Sequence, residues 1–194
     1  MTSRRTDALF GTRPMRVLGL DPGSRRTGWG VVEGTGSRLH CVAFGVITPP
    51  ARQELPQRLH AIAHEAGVRI EEHRPDAVAV EEAFYHESVR STLVLGHVRG
   101  ALLVAAVERG ATIAEYSPRE IKLSVVGHGN ASKEQVAGMV RRLLGLRAEP
   151  PADAADALAA AICHLHRARR GAPARALTAA TRGLEALLAA RGRR

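Results

Sequence analysis

The chain has 194 residues, 45% hydrophobic and only 3% aromatic, with a formal net charge of +9. That length holds one domain with a real core, and the hydrophobic fraction excludes wholesale disorder. The opening "MTSRRTDALFGTRP" has no apolar h-region and does not read as a secretory signal. Apolar runs such as "ALLVAAV" and "LAAAIC" are far shorter than the ~20 residues of a membrane span.

The positive charge sits at the ends. Residues 1–16 carry four Arg and one Asp, and residues 167–194 carry eight Arg and one Glu, which leaves the 150 residues between them at −1. A nucleic-acid partner for the body of the chain must therefore be argued from local patches and not from the overall charge. Cys41 and Cys163 lie far apart without metal-ligand spacing. They read as reduced core thiols of a cytoplasmic protein.

Residues 1–14 read as a loose extension. "MRVLGL" is a short apolar run ended by Pro-Gly, which suits a buried strand. "GWGVVE" and "LHCVAFGVIT" follow as two more strands across the turn "GTGS", and together they predict an antiparallel meander. "LPQRLHAIAHEAGVRIEEH" puts Leu55, Leu59, Ile62, Ala66 and Ile70 on one helical face. "RPDAVAVEEAF" is a fourth strand ending in two glutamates, "STLVLGHVRGALLVAAVERG" a largely buried helix, and "ATIAEYS" a fifth strand.

Ser117 as N-cap with Pro118 at the first helical position opens the next helix. Ser132 with Gln135 three residues on forms a capping-box pattern before another. "ADAADALAAAICHLHRARR" is the final helix. Residues 171–194 suit either a weak amphipathic helix carrying Leu177, Leu184, Leu187 and Leu188 or a mobile basic tail. The order of elements predicts an α/β sandwich around a mixed sheet, with residues 15–170 as its domain.

Four acids stand out. Asp21 ends the first strand and Glu81 the fourth, while Asp153 and Asp156 share one face at the start of the last helix, among alanines. Each alone has a plain structural reading: a turn starter before Pro-Gly, a solvated strand end, a pair of acids favoured by the helix dipole. Together, three separate elements place acids where they can meet if the first and fourth strands are neighbours. Such a cluster repels itself unless cations neutralise it, and hard oxygen ligands suit Mg²⁺ or Mn²⁺.

"LGLDPGSRRTGWGVV", "AVEEAF", "LGHVRGALLVAA", "SPREIKLSVVGHGNASKEQV" and "ADAADALAAAICH" closely resemble, in order and spacing, the RuvC family of Holliday-junction resolvases. The likeness runs from about Met15 to Arg167 and leaves out residues 1–14 and the tail. It implies an RNase H-like fold: a five-stranded mixed sheet with helices on both faces. It implies a homodimer that cuts four-way DNA junctions by paired symmetric nicks with 5′-phosphate and 3′-hydroxyl ends, working with the RuvA–RuvB branch-migration complex.

The same resemblance makes Asp21, Glu81, Asp153 and Asp156 the catalytic, metal-binding tetrad, Phe84 a residue that stacks on junction bases, and Lys122 and Lys133 DNA contacts near the site. Phosphodiester hydrolysis calls for positioning and charge neutralisation, which two divalent ions supply together. Asp21 is then expected to bridge two Mg²⁺ (or Mn²⁺) ions, Glu81 and Asp156 to hold one each, and Asp153 to complete a shell or orient water. Arg25 and Arg26 in the first turn, with Arg90 and Arg99, are further phosphate-tracking candidates. Phe84 and Tyr85 at a strand end suit a stacking wedge.

The apolar helix that follows them is the candidate dimer interface. A sugar-kinase or chaperone ATPase of the actin type also opens on strand-Asp-turn-strand, but needs two such halves and a second Asp-Gly hairpin. A non-catalytic binder on the same fold, or a nuclease of other specificity, is the remaining alternative. The presence of all four acids argues against the non-catalytic binder.

Overall fold

The computed structural model describes residues 13–82 and 88–171. Strands β1 (Met15–Asp21), β2 (Thr27–Thr35) and β3 (Arg38–Ile47) form the expected meander, the last two joined at Gly36, whose φ of 53° suits a residue without Cβ. Strands β4 (Ala77–Glu81) and β5 (Ile113–Tyr116) add in parallel, giving the order β3-β2-β1-β4-β5. The first and fourth strands are thus neighbours, and β1 is the central strand.

Helices α1 (Leu55–His73) and α2 (Val89–Glu108) cover one face of the sheet. Helices α3 (Pro118–Val126), α4 (Lys133–Leu144) and α5 (Ala152–Arg169) cover the other. The expected five-stranded mixed sheet with helices on both faces is what the chain forms. Capping boxes at Ser117/Glu120 and Ser132/Gln135 start α3 and α4, and Gly127 and Gly145 end them in the left-handed region.

The two faces of the sheet differ in side-chain size. Along β1 and β4 the large residues Leu18, Leu20, Val78 and Val80 point towards α1 and α2. Gly19, Ala77 and Ala79 alternate with them and lie towards α5, a helix that is itself mostly alanine. Each fully buried Leu or Val is worth about 1.5–3 kcal/mol; both faces bury such residues, but beneath α5 the small residues of β1 and β4 allow a close approach. On that face the Tyr116 hydroxyl and His164 Nδ1 lie 2.8 Å apart and tie β5 to α5. Burial, then Arg167, pushes His164 down to about 4, so the imidazole is neutral.

Three expectations need correction. Helix α2 starts at Val89 and is not largely buried: Val98, Leu102, Ala105 and Ala106 are, whereas Val89, Leu93, Val104 and Val107 are exposed. It is also long and apolar enough to cross a membrane by length and composition, which a count of unbroken apolar runs missed because Gly96, His97, Arg99 and Gly100 interrupt it. In the fold its apolar side instead packs on α1 and the sheet. Cys41 is half-exposed on β3, and only Cys163 is a core thiol.

Candidate active site

Side chains alternate along a strand, so Asp21 shares the face of Gly19, and Glu81 shares that of Ala79. Both acids therefore point to the α5 side. Leu20 and Val80 are register partners on adjacent parallel strands, which places the next residues, Asp21 and Glu81, side by side at the strand ends. Strands in such a pair lie about 4.8 Å apart.

The helix-borne acids reach them because the sheet lacks side chains beneath α5. A Cβ built on Gly19 would stand 1.8 Å from the carbonyl oxygen of Ala157, and one on Gly28 would stand 1.8 Å from that of Asp153. Gly28 is the register partner of Asp21. The first turn of α5 thus rests on bare backbone beside Asp21, and Asp156 enters the same cleft as the two strand acids. These glycines were visible in "GLD" and "TGWGVV", where they alternate with large residues, but their task appears only with the helix in place.

The cleft has a volume of about 270 Å³ and is lined by Asp21, Glu81 and Asp156, by Lys122 and Lys133, and by an apolar wall that includes Ile121 and Val136. Lys133 Nζ lies 3.4 Å from Asp156 Oδ2. Burial, followed by the nearby Glu81 and Asp156, pushes Asp21 up to about 8. Burial, followed by Asp156, pushes Glu81 up to about 7. Asp156 is also raised, mainly by burial, against the lowering pull of Lys133, and Lys133 is itself raised, chiefly by Asp156.

Carboxyls that resist ionisation because they are crowded and shielded from water fit a cation site. Among the described residues no three His, Cys, Asp or Glu side chains are already closed around one ion-sized point.

Asp153 does not line this cleft; its Oδ2 accepts a hydrogen bond from Arg26 Nε at 2.7 Å. Arg26, expected to track phosphate, is therefore engaged with an acid, and Arg99 makes a two-pronged pair with Glu115 at 2.5 and 2.7 Å. Arg99 thus forms a strut between α2 and β5. Glu81, and not Glu82, faces the cleft. Lys122 and Lys133 both line the cleft. Arg25 and Arg90, far apart in sequence, meet in a second cleft together with Arg58, which sequence reasoning had missed on the polar flank of α1. Phe84 and Tyr85 lie outside the described residues.

Residues 17–164 match the family model of the crossover junction endodeoxyribonuclease RuvC. Proteins of that name from Syntrophomonas wolfei and Halorhodospira halophila are similar. The first is 46% identical over 153 residues, covering 78% of this chain and 89% of its own. The second is 50% identical over 168 residues, covering 87% and 97%. Among solved structures, Thermus thermophilus RuvC bound to a Holliday junction substrate superposes with a TM-score of 0.77 at 38% identity, covering 81% of this chain and 97% of its own. The yeast mitochondrial Holliday junction resolvase Ydc2, at 16% identity and a TM-score of 0.57 over 81% of each chain, shares the RNase H-like fold. On its sequence and on the sheet that carries Asp21 and Glu81, the chain belongs to the RuvC family of crossover junction endodeoxyribonucleases.

Proposed function

We propose that this chain cuts four-way junction DNA at the Asp21–Glu81–Asp156 cleft, with Asp153 at its margin, as a metal-dependent endonuclease. The observation that carries the reading is the pair of strand-end carboxyls held near 8 and 7 beside a third acid and two lysines. Two Mg²⁺ (or Mn²⁺) ions held by Asp21, Glu81, Asp156 and Asp153 would supply an activated water and charge neutralisation at the leaving oxygen.

The chain's own residues do the rest. Lys122 and Lys133 offer cations to a phosphate entering the cleft, and Ile121 and Val136 form a wall that limits water and so strengthens those charges. Arg26 holds Asp153 at the edge of the site. The exposed Val89, Leu93, Val104 and Val107 of α2 support a homodimer, which would present two such clefts to a junction with two-fold symmetry. Action on chromosomal DNA alongside the RuvA–RuvB complex, in the cytoplasm, belongs to the same proposal.

The direct test is cleavage of a synthetic four-way junction with Mg²⁺ and with EDTA. Nicking that survives EDTA overturns the metal-dependent reading. Lys133 also sets the pH range of the site, because it lowers the carboxyls of Asp21, Glu81 and Asp156. With Lys133→Ala the three acids keep their protons to higher pH. The acid limb of the single-turnover pH–rate profile is expected to move upward by on the order of one unit, beyond any fall in rate. An unmoved limb would show that Lys133 acts only on the substrate.

A further inference from the structure

We propose that Arg25, Arg58 and Arg90 form a second phosphate-binding site, which grips the DNA backbone beside the cleavage cleft. The inference rests on the junction-cutting reading above and extends it to a residue, Arg58, that lies on a different helix from any acid or lysine of the active site.

The three guanidinium groups come from three elements: the β1–β2 turn, the first turn of α1 and the first turn of α2. They line one cleft of about 630 Å³, together with Ser24, Gln53 and Ser91. One carboxylate, Glu54, shares the lining with them, so the cleft is strongly positive. Several arginines among the described residues are matched with acids, such as Arg16 with Glu33, Arg26 with Asp153, Arg99 with Glu115 and Arg109 with Glu71. Among the described residues, none of the three cleft arginines forms such a pair.

Arg58 Nε is enclosed and meets no acceptor among the described residues, so packing and not a partner acid holds this side chain in place. Concentrating unpaired guanidinium groups costs energy through mutual repulsion, and a bound polyanion offsets that cost. Arginine forks with nearby hydroxyl and amide groups suit a phosphodiester, whose two free oxygens accept two parallel N–H bonds.

The position selects DNA as the occupant. Asp21 lines the cleavage cleft, whereas Ser24 and Arg25 of the same turn line this one. Four residues of chain span at most roughly 14 Å. At 3.4 Å of helix axis per nucleotide on one strand, the second cleft reaches a phosphate within about four nucleotides of the bond being cut. Contacts of this kind fix the register of the duplex without reading its sequence.

The test is anisotropy titration of a fluorescent four-way junction with the full chain in EDTA, across a series of salt concentrations. Each phosphate neutralised contributes about −0.9 to the slope of log K against log salt. Arg25→Gln and Arg58→Gln are each expected to weaken binding about tenfold near 0.15 M ionic strength and to flatten the slope by about 0.9; replacing all three should flatten it by about 2.7. Arg25 sits in an exposed turn, so its variant remains informative even if the half-buried Arg58 is needed for folding. Unchanged affinity and slope in Arg25→Gln and in the folded triple variant would overturn the proposal, as would weaker binding with an unchanged slope. A parent protein that fails to bind the junction would instead overturn the junction-cutting reading, and this proposal with it.

Discussion

Asp21→Asn is expected to abolish junction cleavage while making the metal-free protein harder to unfold. The loss follows from position: Asp21 stands at the end of the central strand between Glu81 and the first turn of α5, where a cation-binding oxygen serves the whole cluster. Metal stabilisation of the developing charge is worth several kcal/mol, so a fall of about 10³-fold or more in single-turnover rate is expected.

The gain in stability has a definite pH signature. Asp21 holds its proton up to about 8 in the folded chain, against 3.8 for an ordinary aspartate. Between those values the folded state binds more protons than the unfolded one, so stability falls as pH rises. The asparagine carries no such penalty. Its advantage is absent below pH 4, grows through neutrality and is complete above pH 8, at a few kcal/mol or a rise in melting temperature of roughly 5 °C. Saturating Mg²⁺ should narrow the gap, because the ion stabilises only the parent site. A variant that is inactive and less stable than the parent at pH 8.5 in EDTA would mean that Asp21 is not held in a repulsive cluster.

Gly28→Ala is expected to damage the site from below. Its new methyl would overlap the carbonyl oxygen of Asp153 at 1.8 Å, and backbone cannot swing aside as a side chain does. The start of α5 must lift, carrying Asp153 and Asp156 away from Asp21. Overpacking of this kind costs about 1–3 kcal/mol or more, and displacing reactive groups by about 1 Å costs on the order of 10²-fold in rate. Gly19→Ala makes an equally close approach, to the oxygen of Ala157 in the middle of the helix. It should cost as much stability or more.

Gly30→Ala meets the side chain of Leu158 at 2.6 Å, which can yield, so its effect on cleavage should be milder. Gly138→Ala, in α4, where an added Cβ would meet nothing within 4 Å beyond the helix's own backbone and its chain neighbours, is the control and should stabilise by about 0.5–1 kcal/mol. Equal effects on cleavage across all four variants would break the link between the glycine seam and the site.

These residues also mark what could be read in advance. Element order, the meander, the Ser117 N-cap and the Ser132/Gln135 capping box were legible, because turn chemistry and apolar period are local signals, whereas the pairing of the first strand with the fourth entered only as a condition and is settled by the sheet. Asp21 and Glu81 could be placed at strand ends for the same reason. The small-residue face beneath α5 was present as alternation in "LGLD" and "AVAVE", yet it acquires meaning only from the helix that packs on it.

Charge partners were the least legible part. Arg26 and Asp153 are 127 residues apart, and Arg99 and Glu115 meet across a helix and a strand. No local pattern distinguishes such pairs from the unpaired Arg25, Arg58 and Arg90. The exposed side of α2 was misjudged because apolar composition alone does not say whether a helix is covered by its own chain.

The most direct measurement is parallel cleavage of a synthetic four-way junction and a linear duplex of the same sequence, with the ends of the products mapped. The account predicts paired nicks at symmetric positions in the junction, dependent on Mg²⁺, with 5′-phosphate and 3′-hydroxyl ends that ligase reseals, and little cutting of the duplex. Equal cutting of both substrates, or nicking that persists in EDTA, would contradict it.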